Sequence, residues 1–240
     1  PRLQDTTPPS VKPITYPRAD GVSIPAYLTL PPGKEAKDLP AIVLPHGGPS
    51  ARDEWGFDWL SQYLASLGYA VIQPNYRGSD GYGEEWLSKN GWQGWRTSIG
   101  DVTAAGTWLA SQGIPDPDRL AVLGWSYGGY AALQSSVVAP DLFKAVVAIA
   151  PVTDLGMLKT EMNDYTSARI NRDFIGSGPH VEQGSPLRNV AQISVPVLLF
   201  HGDRDANVGV AQSQAMDNAL RGAGKETELV VYEGLEHSLV

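Results

Sequence analysis

Short, almost continuously apolar runs recur along most of the chain, at positions 41–45, 69–74, 120–125, 145–150, 195–200 and 228–232. Uninterrupted apolar runs, as opposed to alternating ones, are typical of strands that are buried on both faces of a mainly parallel sheet. Polar and glycine-containing segments separate the runs. We therefore predict a series of buried strands connected by helices.

Three of the connecting segments have the pattern of a helix. Residues 54–67 place one apolar stripe where it would pack against the sheet, formed by Trp55, Trp59, Leu60, Tyr63, Leu64 and Leu67. Asp101 is the expected N-cap of a helix that ends at Gly113, and residues 127–138 are small and apolar, as suits a helix pressed closely against a sheet. This alternation predicts an α/β fold with a mainly parallel, doubly wound sheet and helices on both faces. Ligands of such sheets bind at the carboxyl ends of the strands.

The remaining segments define the expected organisation of the chain. Residues 1–11 are rich in Pro and Thr and predict a linker or edge segment, while residues 12–240 form one predicted domain. Alternation on both sides of Ala19-Asp20-Gly21 predicts a hairpin. The polar, mixed stretch 152–192 is predicted to be partly helical and to form a wall or lid over the ligand crevice.

Composition excludes several classes of function. A length of 240 residues with 42 % hydrophobic residues suits one α/β domain. The net charge of −8 and the lack of a basic run argue against nucleic acid or an anionic membrane as a partner, and favour a small neutral or amphipathic substrate. The absence of cysteine excludes disulfides, thiolate metal sites and a cysteine nucleophile.

Targeting signals are also absent from the sequence. No apolar run approaches the length of a membrane-spanning helix, and the first residues lack the pattern of a signal peptide. These features favour the cytoplasm, and a periplasmic or secreted location would require a signal that was removed.

The apolar run at 120–125 leads into the pentapeptide Gly124-Trp125-Ser126-Tyr127-Gly128. A serine between two such glycines, after a strand and before a helix, is typical of a nucleophile held on a sharp turn. Larger side chains at the glycine positions would collide with the neighbouring strand and helix. The strand and helix context carries this interpretation, because the five-residue pattern alone is common. We predict Ser126 as a nucleophile.

A serine hydroxyl needs a base, and the chain contains four histidines. His46 opens a glycine-rich turn and is predicted to be structural, and His180 in the polar stretch is predicted to lie at the surface. His201 ends an apolar run and is expected to be a semi-buried orienting residue. His237 follows the last run, which matches the order serine, acid, histidine along α/β-hydrolase chains, so it is the predicted general base.

The stretch HGDRDANV offers two acids between the serine and this histidine, Asp203 and Asp205. Asp205 lies further into the loop and is the predicted triad acid, with Asp203 as a turn former or loop brace. No HExxH motif or other spaced set of ligands accompanies these residues, so no metal site is predicted.

Two backbone N–H groups are predicted to form an oxyanion hole, those of Tyr127, directly after the serine, and of Gly48 in His46-Gly47-Gly48-Pro49. A simple tight turn would explain Gly47 and Gly48 equally well. It would not explain their position at the carboxyl end of a strand in the same half of the fold as Ser126.

Longer motifs, in order along the chain, resemble the catalytic domain of the prolyl oligopeptidase family of serine peptidases, nearest to its acylaminoacyl-peptidase branch. They are DGVSIPAYLTLPPG, LPHGGPSARDEWG, PNYRGSDGYGEEW, GWSYGGYAAL, PDLFKAVVAIAPVTD, HGDRDANV and EGLEH. The resemblance extends from about Val11 to the C-terminus. It implies an α/β-hydrolase fold, a triad of Ser126, Asp205 and His237, no cofactor, and hydrolysis of short peptides or esters. Asp205 also matches the family's HG-x-x-D spacing.

Three features depart from that family. Nothing in this sequence encodes the β-propeller domain that usually precedes the hydrolase, and the chain ends soon after His237, where the family continues into one more helix. Asn207 stands two residues after Asp205, where many of these peptidases carry an arginine that holds a substrate carbonyl. Asparagine can donate a hydrogen bond but lacks the positively charged fork of arginine. Asn207 and Trp125 are the predicted substrate contacts.

These observations predict a serine hydrolase that forms an acyl-enzyme, with an acylaminoacyl-peptidase or oligopeptidase favoured over a stand-alone carboxylesterase that acts on small or short-acyl esters. A binding protein built on the same fold is disfavoured, because all three triad residues are present. The expected partner is a small-molecule or short-peptide substrate, without nucleic acid, membrane, metal or cofactor. A homo-oligomer and a missing N-terminal domain are further expectations.

Overall fold

The computed structural model describes residues 7–88, 91–162 and 168–240 of the chain. Its strands are β1 (Ser10–Pro17), β2 (Ser23–Leu30), β3 (Leu39–Val43), β4 (Ala70–Pro74), β5 (Pro115–Trp125), β6 (Ala145–Ile149), β7 (Val197–Gly202) and β8 (Thr227–Tyr232). Its helices are α1 (Trp59–Ser66), α2 (Glu84–Leu87), α3 (Trp95–Ser111), α4 (Tyr127–Val138), α5 (Leu155–Glu161), α6 (Ala168–Ile175), α7 (His180–Gln183) and α8 (Ala211–Gly222), with a 3₁₀ helix at Pro186–Gln192.

These strands form one eight-stranded sheet in the order β1-β2-β4-β3-β5-β6-β7-β8. The strands from β3 to β8 are parallel, whereas β2 is antiparallel to both β1 and β4. All six apolar runs form strands, and the predicted α/β-hydrolase fold is confirmed. The predicted hairpin is the β1–β2 pair, in which Ser10 and Val11 already pair with Leu30 and Thr29 at the edge of the sheet.

The central elements β4 and α4 are buried along most of their length. All five residues of β4 are buried, and so are the first ten residues of α4, from Tyr127 to Ser136. Helix α4 therefore packs against the middle of the sheet with nearly all of its surface covered, as its small side chains predict. None of the helices in the described ranges combines the length and the apolar character needed to cross a bilayer.

Two predicted helices differ from the structure. Helix α1 begins at Trp59 and not at residue 54, because the side chain of Asp58 accepts a hydrogen bond from the Ser61 N–H and caps the helix there. The predicted stripe is also largely exposed: 59 % of Trp59 and 56 % of Tyr63 remain accessible, and Leu64 is the buried member of the stripe.

Helix α3 begins at Trp95, six residues before the predicted start. Asp101 is therefore not an N-cap but lies inside the helix, fully buried, where it accepts hydrogen bonds from Arg77. Its carboxylate is satisfied by tertiary partners and has no need of helix-terminal N–H groups. The predicted end is correct, because Gly113 follows α3 in the left-handed conformation with φ 67°.

Candidate active site

The predicted catalytic residues follow different strands but meet at one edge of the sheet. Ser126 follows β5, Asp205 follows β7 and His237 follows β8, while the turn at Gly47 and Gly48 follows β3. The carboxyl ends of parallel strands share an edge, so side chains placed there converge.

Ser126 occupies a strained turn between β5 and α4. Its backbone angles are φ 58° and ψ −121°, which lie in a region that residues with a side chain rarely adopt. A side chain at Gly124 would collide with the Gly128 carbonyl, and one at Gly128 would collide with the Pro45 carbonyl. Both flanking glycines are therefore required by close backbone approach, which is the reason predicted for them.

Asp205 and His237 form a short hydrogen bond. The distance between His237 Nδ1 and Asp205 Oδ2 is 2.6 Å, and the carboxylate is inaccessible to solvent while the imidazole is 19 % exposed. A carboxylate can only accept, so Nδ1 carries the proton and Nε2 is left with its lone pair. The geometry thus holds His237 in the tautomer that a general base needs.

Three further donors converge on the Asp205 carboxylate. The N–H groups of Asn207 and Val208 donate to Oδ1 at 2.8 and 2.9 Å, and His201 Nε2 lies 3.2 Å from Oδ2. Burial alone would raise the pKa of Asp205, but the hydrogen bonds from His201, His237 and Val208 outweigh burial and hold it well below its usual range. Asp205 is consequently an anion throughout the neutral pH range.

His201 lies directly beneath this carboxylate. It is fully buried, and not semi-buried as predicted, because the end of β7 is covered by α8. Its Nε2 also lies 2.9 Å from the Val208 carbonyl oxygen, and its Nδ1 lies 2.7 Å from Ser213 Oγ. Both neighbours of Nε2 are acceptors, so Nε2 carries a proton and donates toward Asp205.

Two contacts position the loop that carries His237. The indole N–H of Trp125 donates to the His237 carbonyl oxygen at 2.9 Å. Asp203 Oδ1 accepts from the Gly234 N–H at 2.7 Å, which is the bracing role expected of this second aspartate. The sequence predicts Trp125 as a substrate contact, and this stays a prediction; in the structure its indole N–H bonds the loop that carries His237.

The predicted oxyanion donors lie on both sides of Ser126. Tyr127 is the first residue of α4, a position whose N–H has no acceptor within the helix. Gly47 packs so closely that a Cβ on it would lie 3.5 Å from Ser126 Cβ. Gly48 has φ 126° and would bring a Cβ within 2.8 Å of the Ser50 backbone nitrogen, so only glycine suits this turn.

Arg77 forms an ion-pair network with Asp101, which is buried, and with Asp20, whose side chain is 50 % exposed. Arg77 donates from Nε and Nη2 to both oxygens of Asp101, at 2.9 and 2.7 Å, and from Nη1 to Asp20 at 2.6 Å. The adjacent Tyr76 is fully buried and stacks on His46. Arg77 is therefore a structural ion-pair residue.

A cavity of about 280 Å³ opens beside the triad. Ser126, His237, Gly48, Tyr127 and Asn207 line it on the catalytic side. The rest of its lining, here called the cavity wall, is mostly apolar and consists of Trp92, Val152, Leu158, Met162, Asn171, Phe174, Ile175 and Val208. Most of this wall comes from the predicted wall-forming stretch 152–192, of which residues 163–167 lie outside the described ranges.

The wall residues were not identified individually from the sequence. Trp92 is only 5 % exposed and lines the cavity, so it belongs both to the core and to the cavity wall. Apolar residues in a mixed segment carry no motif. The packing of the short helices α5 and α6 brings these residues to the cavity, and that packing is seen only in the tertiary structure.

No group of three His, Cys, Asp or Glu side chains within the described parts of the chain is arranged to hold a metal ion.

Comparison with known proteins identifies the family of this chain. The model of the prolyl oligopeptidase family matches residues 55–240. The chain belongs to the prolyl oligopeptidase family. It is 30 % identical to dipeptidyl aminopeptidase BIII of Pseudoxanthomonas mexicana, over 94 % of this chain and 35 % of that protein. It is also 30 % identical to an acylamino-acid-releasing enzyme of Arabidopsis thaliana, over 89 % of this chain and 29 % of that protein.

A solved structure of the family has the same fold. The puromycin-hydrolyzing peptidase of Mycobacterium tuberculosis superposes with a TM-score of 0.84 and is 31 % identical, over 94 % of this chain and 36 % of that chain. This protein thus spans about a third of the length of the family members it matches.

Proposed function

We propose that this domain is a serine hydrolase that cleaves short peptides through an acyl-enzyme intermediate. The 2.6 Å hydrogen bond between Asp205 and His237, beside the strained Ser126, carries the proposal. An anionic, buried acid fixes the base in one tautomer, and the base and the hydroxyl face one cavity. This is the arrangement that activates a serine.

In this reaction Ser126 Oγ attacks the acyl carbon, and its proton passes to Nε2 of His237. The imidazolium that forms is stabilised by Asp205 and then donates the proton to the leaving amine. Water enters along the same route, loses a proton to His237 and attacks the acyl-enzyme, which releases the acid and restores Ser126.

The negative charge that develops on the substrate oxygen would be held by the N–H groups of Tyr127 and Gly48. Tyr127 contributes the free N–H at the start of α4, where the helix dipole also favours an anion. Gly48 lines the same cavity. Fixed donors of this kind act on the tetrahedral intermediate with little reorganisation.

The cavity wall favours an uncharged acyl side chain. Apart from His237, no ionisable group other than a tyrosine is among its described lining residues, and burial of an unpaired charge would be costly. Asn207 is exposed at the rim, where its amide can donate to a peptide carbonyl. The dipeptidyl, acylamino-acid and puromycin-cleaving relatives favour an amide substrate over a simple ester.

Active-site labelling tests the catalytic assignment. A fluorophosphonate is expected to label the folded protein once per chain at Ser126, and Ser126→Ala is expected to abolish both labelling and turnover. Failure of the parent protein to label while its circular dichroism spectrum shows a folded chain would refute the hydrolase proposal.

Substrate class is tested by assaying N-acetyl-aminoacyl and Xaa-Pro anilides beside short p-nitrophenyl esters. The proposal expects cleavage of at least one class of anilide, because amide hydrolysis requires leaving-group protonation by His237. Fast ester turnover without any anilide cleavage would contradict the peptidase proposal and favour the carboxylesterase.

A further inference from the structure

The Asp205 carboxylate has two histidine neighbours, and the proposed mechanism uses only one of them. Its Oδ2 atom lies 2.6 Å from Nδ1 of His237 and 3.2 Å from Nε2 of His201. His201 lies near the end of β7, and none of its side chain is accessible to solvent. Because water has no access to this ring, a bound substrate has none either. Any effect of His201 on the reaction must therefore pass through Asp205.

The neighbours of the His201 ring determine where it carries a proton. Nε2 lies 2.9 Å from the Val208 carbonyl oxygen, which can only accept, and an ionised Asp205 oxygen can only accept as well. Nδ1 lies 2.7 Å from Ser213 Oγ in α8, a hydroxyl that can donate or accept. Nε2 is therefore protonated whether the ring is neutral or charged. Its single N–H is shared between Val208 and Asp205.

This N–H changes the charge that His237 experiences. A donor directed at a carboxylate stabilises the anion and partly neutralises the oxygen that it faces. The imidazolium form of His237 depends on the negative charge of the same oxygen, 2.6 Å from its Nδ1. Partial neutralisation of that oxygen makes the imidazolium less stable, so His237 gives up its proton more readily. A base that is free of its proton near neutral pH is the form that catalysis requires.

We propose that His201 is a positioning residue that sets the basicity of His237 by donating its Nε2–H to the Asp205 oxygen that both histidines share. This inference rests on the proposed function, in which His237 is the general base. Ser213 and Val208 engage the two ring nitrogens, so the N–H is held in its direction. His201 itself touches neither the substrate nor the reacting atoms.

Other charged groups near the two histidines differ in burial. Glu161 in α5 is half-buried, acts electrostatically on Asp205, and accepts from the Gly209 N–H and the Gln212 side chain, each at 3.2 Å. Helix α8 faces the site with the uncharged side chains of Gln212 and Ser213. Further charged side chains on the two loops are exposed, where water and salt screen them: Asp203, Arg204, Glu233 and Glu236. Glu161 is therefore the neighbouring charge with which His201 must be compared.

Two substitutions separate the donor from the packing of the ring. In His201→Gln the side-chain amide lies near the position of Nε2, so an N–H directed at Asp205 is retained. In His201→Asn the amide nitrogen is bonded to Cγ, as Nδ1 is in histidine, so it reaches Ser213 and not Asp205. Both variants alter a buried side chain, and thermal unfolding followed by circular dichroism is the control for folding.

The pH dependence of kcat/KM on a p-nitrophenyl ester reports the pKa of the base in the free enzyme. In His201→Asn the acid limb should move up by about 0.5–1 pH unit, which lowers kcat/KM on that limb by about 3–10-fold relative to the plateau of the same variant. In His201→Gln the limb should stay within about 0.3 pH unit of the parent protein. A purely structural role would lower the unfolding temperature or the plateau without moving the limb.

Glu161→Gln is the control for charge. It removes a negative charge that acts on Asp205, so it should move the acid limb down by less than about 0.5 pH unit, opposite to His201→Asn. An upward shift in Glu161→Gln would show that the limb follows disturbance of the loop and would overturn the inference.

The position of the proton can be measured without any substitution at residue 201. Long-range proton–nitrogen NMR spectra of the parent protein, labelled with nitrogen-15 histidine, distinguish protonated from bare ring nitrogens. Nε2 of His201 should be protonated between about pH 6 and pH 9, where a free histidine loses its charge. A bare Nε2 in this range would overturn the inference even if His201→Asn fails to fold.

An unchanged acid limb in folded His201→Asn, or equal shifts in His201→Asn and His201→Gln, would also overturn the inference. Fluorophosphonate labelling of the parent protein keeps the two proposals apart. If the parent protein is not labelled at Ser126, the proposed function fails. If it is labelled and His201→Asn keeps the parental limb, only the role of His201 is wrong.

Discussion

Replacement of Asp205 by asparagine tests the triad most directly, because four donors converge on this carboxylate. Oδ1 accepts from the N–H groups of Asn207 and Val208, and Oδ2 faces His237 Nδ1 and His201 Nε2. An asparagine has one oxygen and one NH₂ group. In either orientation of the amide, two of the four donors face another donor.

The favoured orientation leaves the oxygen on the two backbone N–H groups, so the NH₂ group faces His237. The imidazole must then accept at Nδ1 and carry its proton on Nε2, which removes the base from Ser126. Loss of the correct tautomer costs about 10⁴-fold in kcat in serine proteases, and we expect a loss of about 10³–10⁴-fold in Asp205→Asn. The His201 N–H loses one of its two acceptors but keeps the Val208 carbonyl oxygen at 2.9 Å, so the expected stability loss is about 1 kcal/mol.

Asp203→Asn is the matched control on the same loop. Asp203 is exposed and accepts one hydrogen bond, from the Gly234 N–H, which the asparagine oxygen can also accept. Its turnover of a p-nitrophenyl ester should stay within about threefold of the parent protein, with an effect on unfolding free energy below about 1 kcal/mol. Equal catalytic losses in the two variants, or more than a tenth of parental kcat in Asp205→Asn, would refute the assignment of Asp205.

Three further predictions concern stability, positioning and selectivity. Burial and the neighbouring Asp58 raise the pKa of Asp53 to about 7, so the stability contributed by its neutral form is present at low pH and lost as pH rises through that value. As pH rises from 5 to 8, the unfolding free energy of Asp53→Asn, measured in urea, should therefore increase by about 1–3 kcal/mol relative to that of the parent protein. A difference between the two proteins that does not change with pH would contradict this. Trp125→Phe removes the donor to the His237 carbonyl and should lower kcat by about 3–10-fold at constant KM, whereas a rise in KM alone would show that Trp125 contacts substrate. Leu158→Ala should enlarge the cavity, cost about 2–4 kcal/mol in unfolding free energy and raise kcat/KM for bulky acyl esters relative to acetyl esters; an unchanged ratio would place the acyl group elsewhere.

The sheet could be predicted because its central parallel strands are continuously apolar, although the last strand, β8, has no fully buried residue. β4 is buried at all five positions, and its short continuous apolar run differs from the spaced apolar stripe of a surface helix and from the polar sequence of a loop. The β1–β2 hairpin could also be predicted, because apolar and polar residues alternate on both sides of an Asp-Gly turn. Both signals are local and need no knowledge of what packs against them.

The starts of α1 and α3 could not be predicted, because their determinants are distant or ambiguous. Asp101 has the residue type of an N-cap, but its partner Arg77 lies 24 positions away and draws it into a buried ion pair. In α1, Trp59 and Tyr63 fit an apolar stripe by spacing, although the face that packs against the sheet is that of Leu64. Spacing alone cannot decide which of two apolar faces is covered.

The candidate site also contains residues that the sequence predicts and residues that it does not. Ser126 and Gly48 require backbone conformations that few residues tolerate, so the surrounding residue types indicate them. Asp205 and His237 must follow particular strands, so their order along the chain indicates them. The cavity wall requires only apolar volume, which many sequences supply, and its position depends on how α5 and α6 pack over the strand ends. The family motifs therefore indicate the type of reaction, acyl transfer, more precisely than they indicate the substrate. For this chain we therefore expect substitutions in the segment 152–192, which supplies most of the cavity wall, to change selectivity.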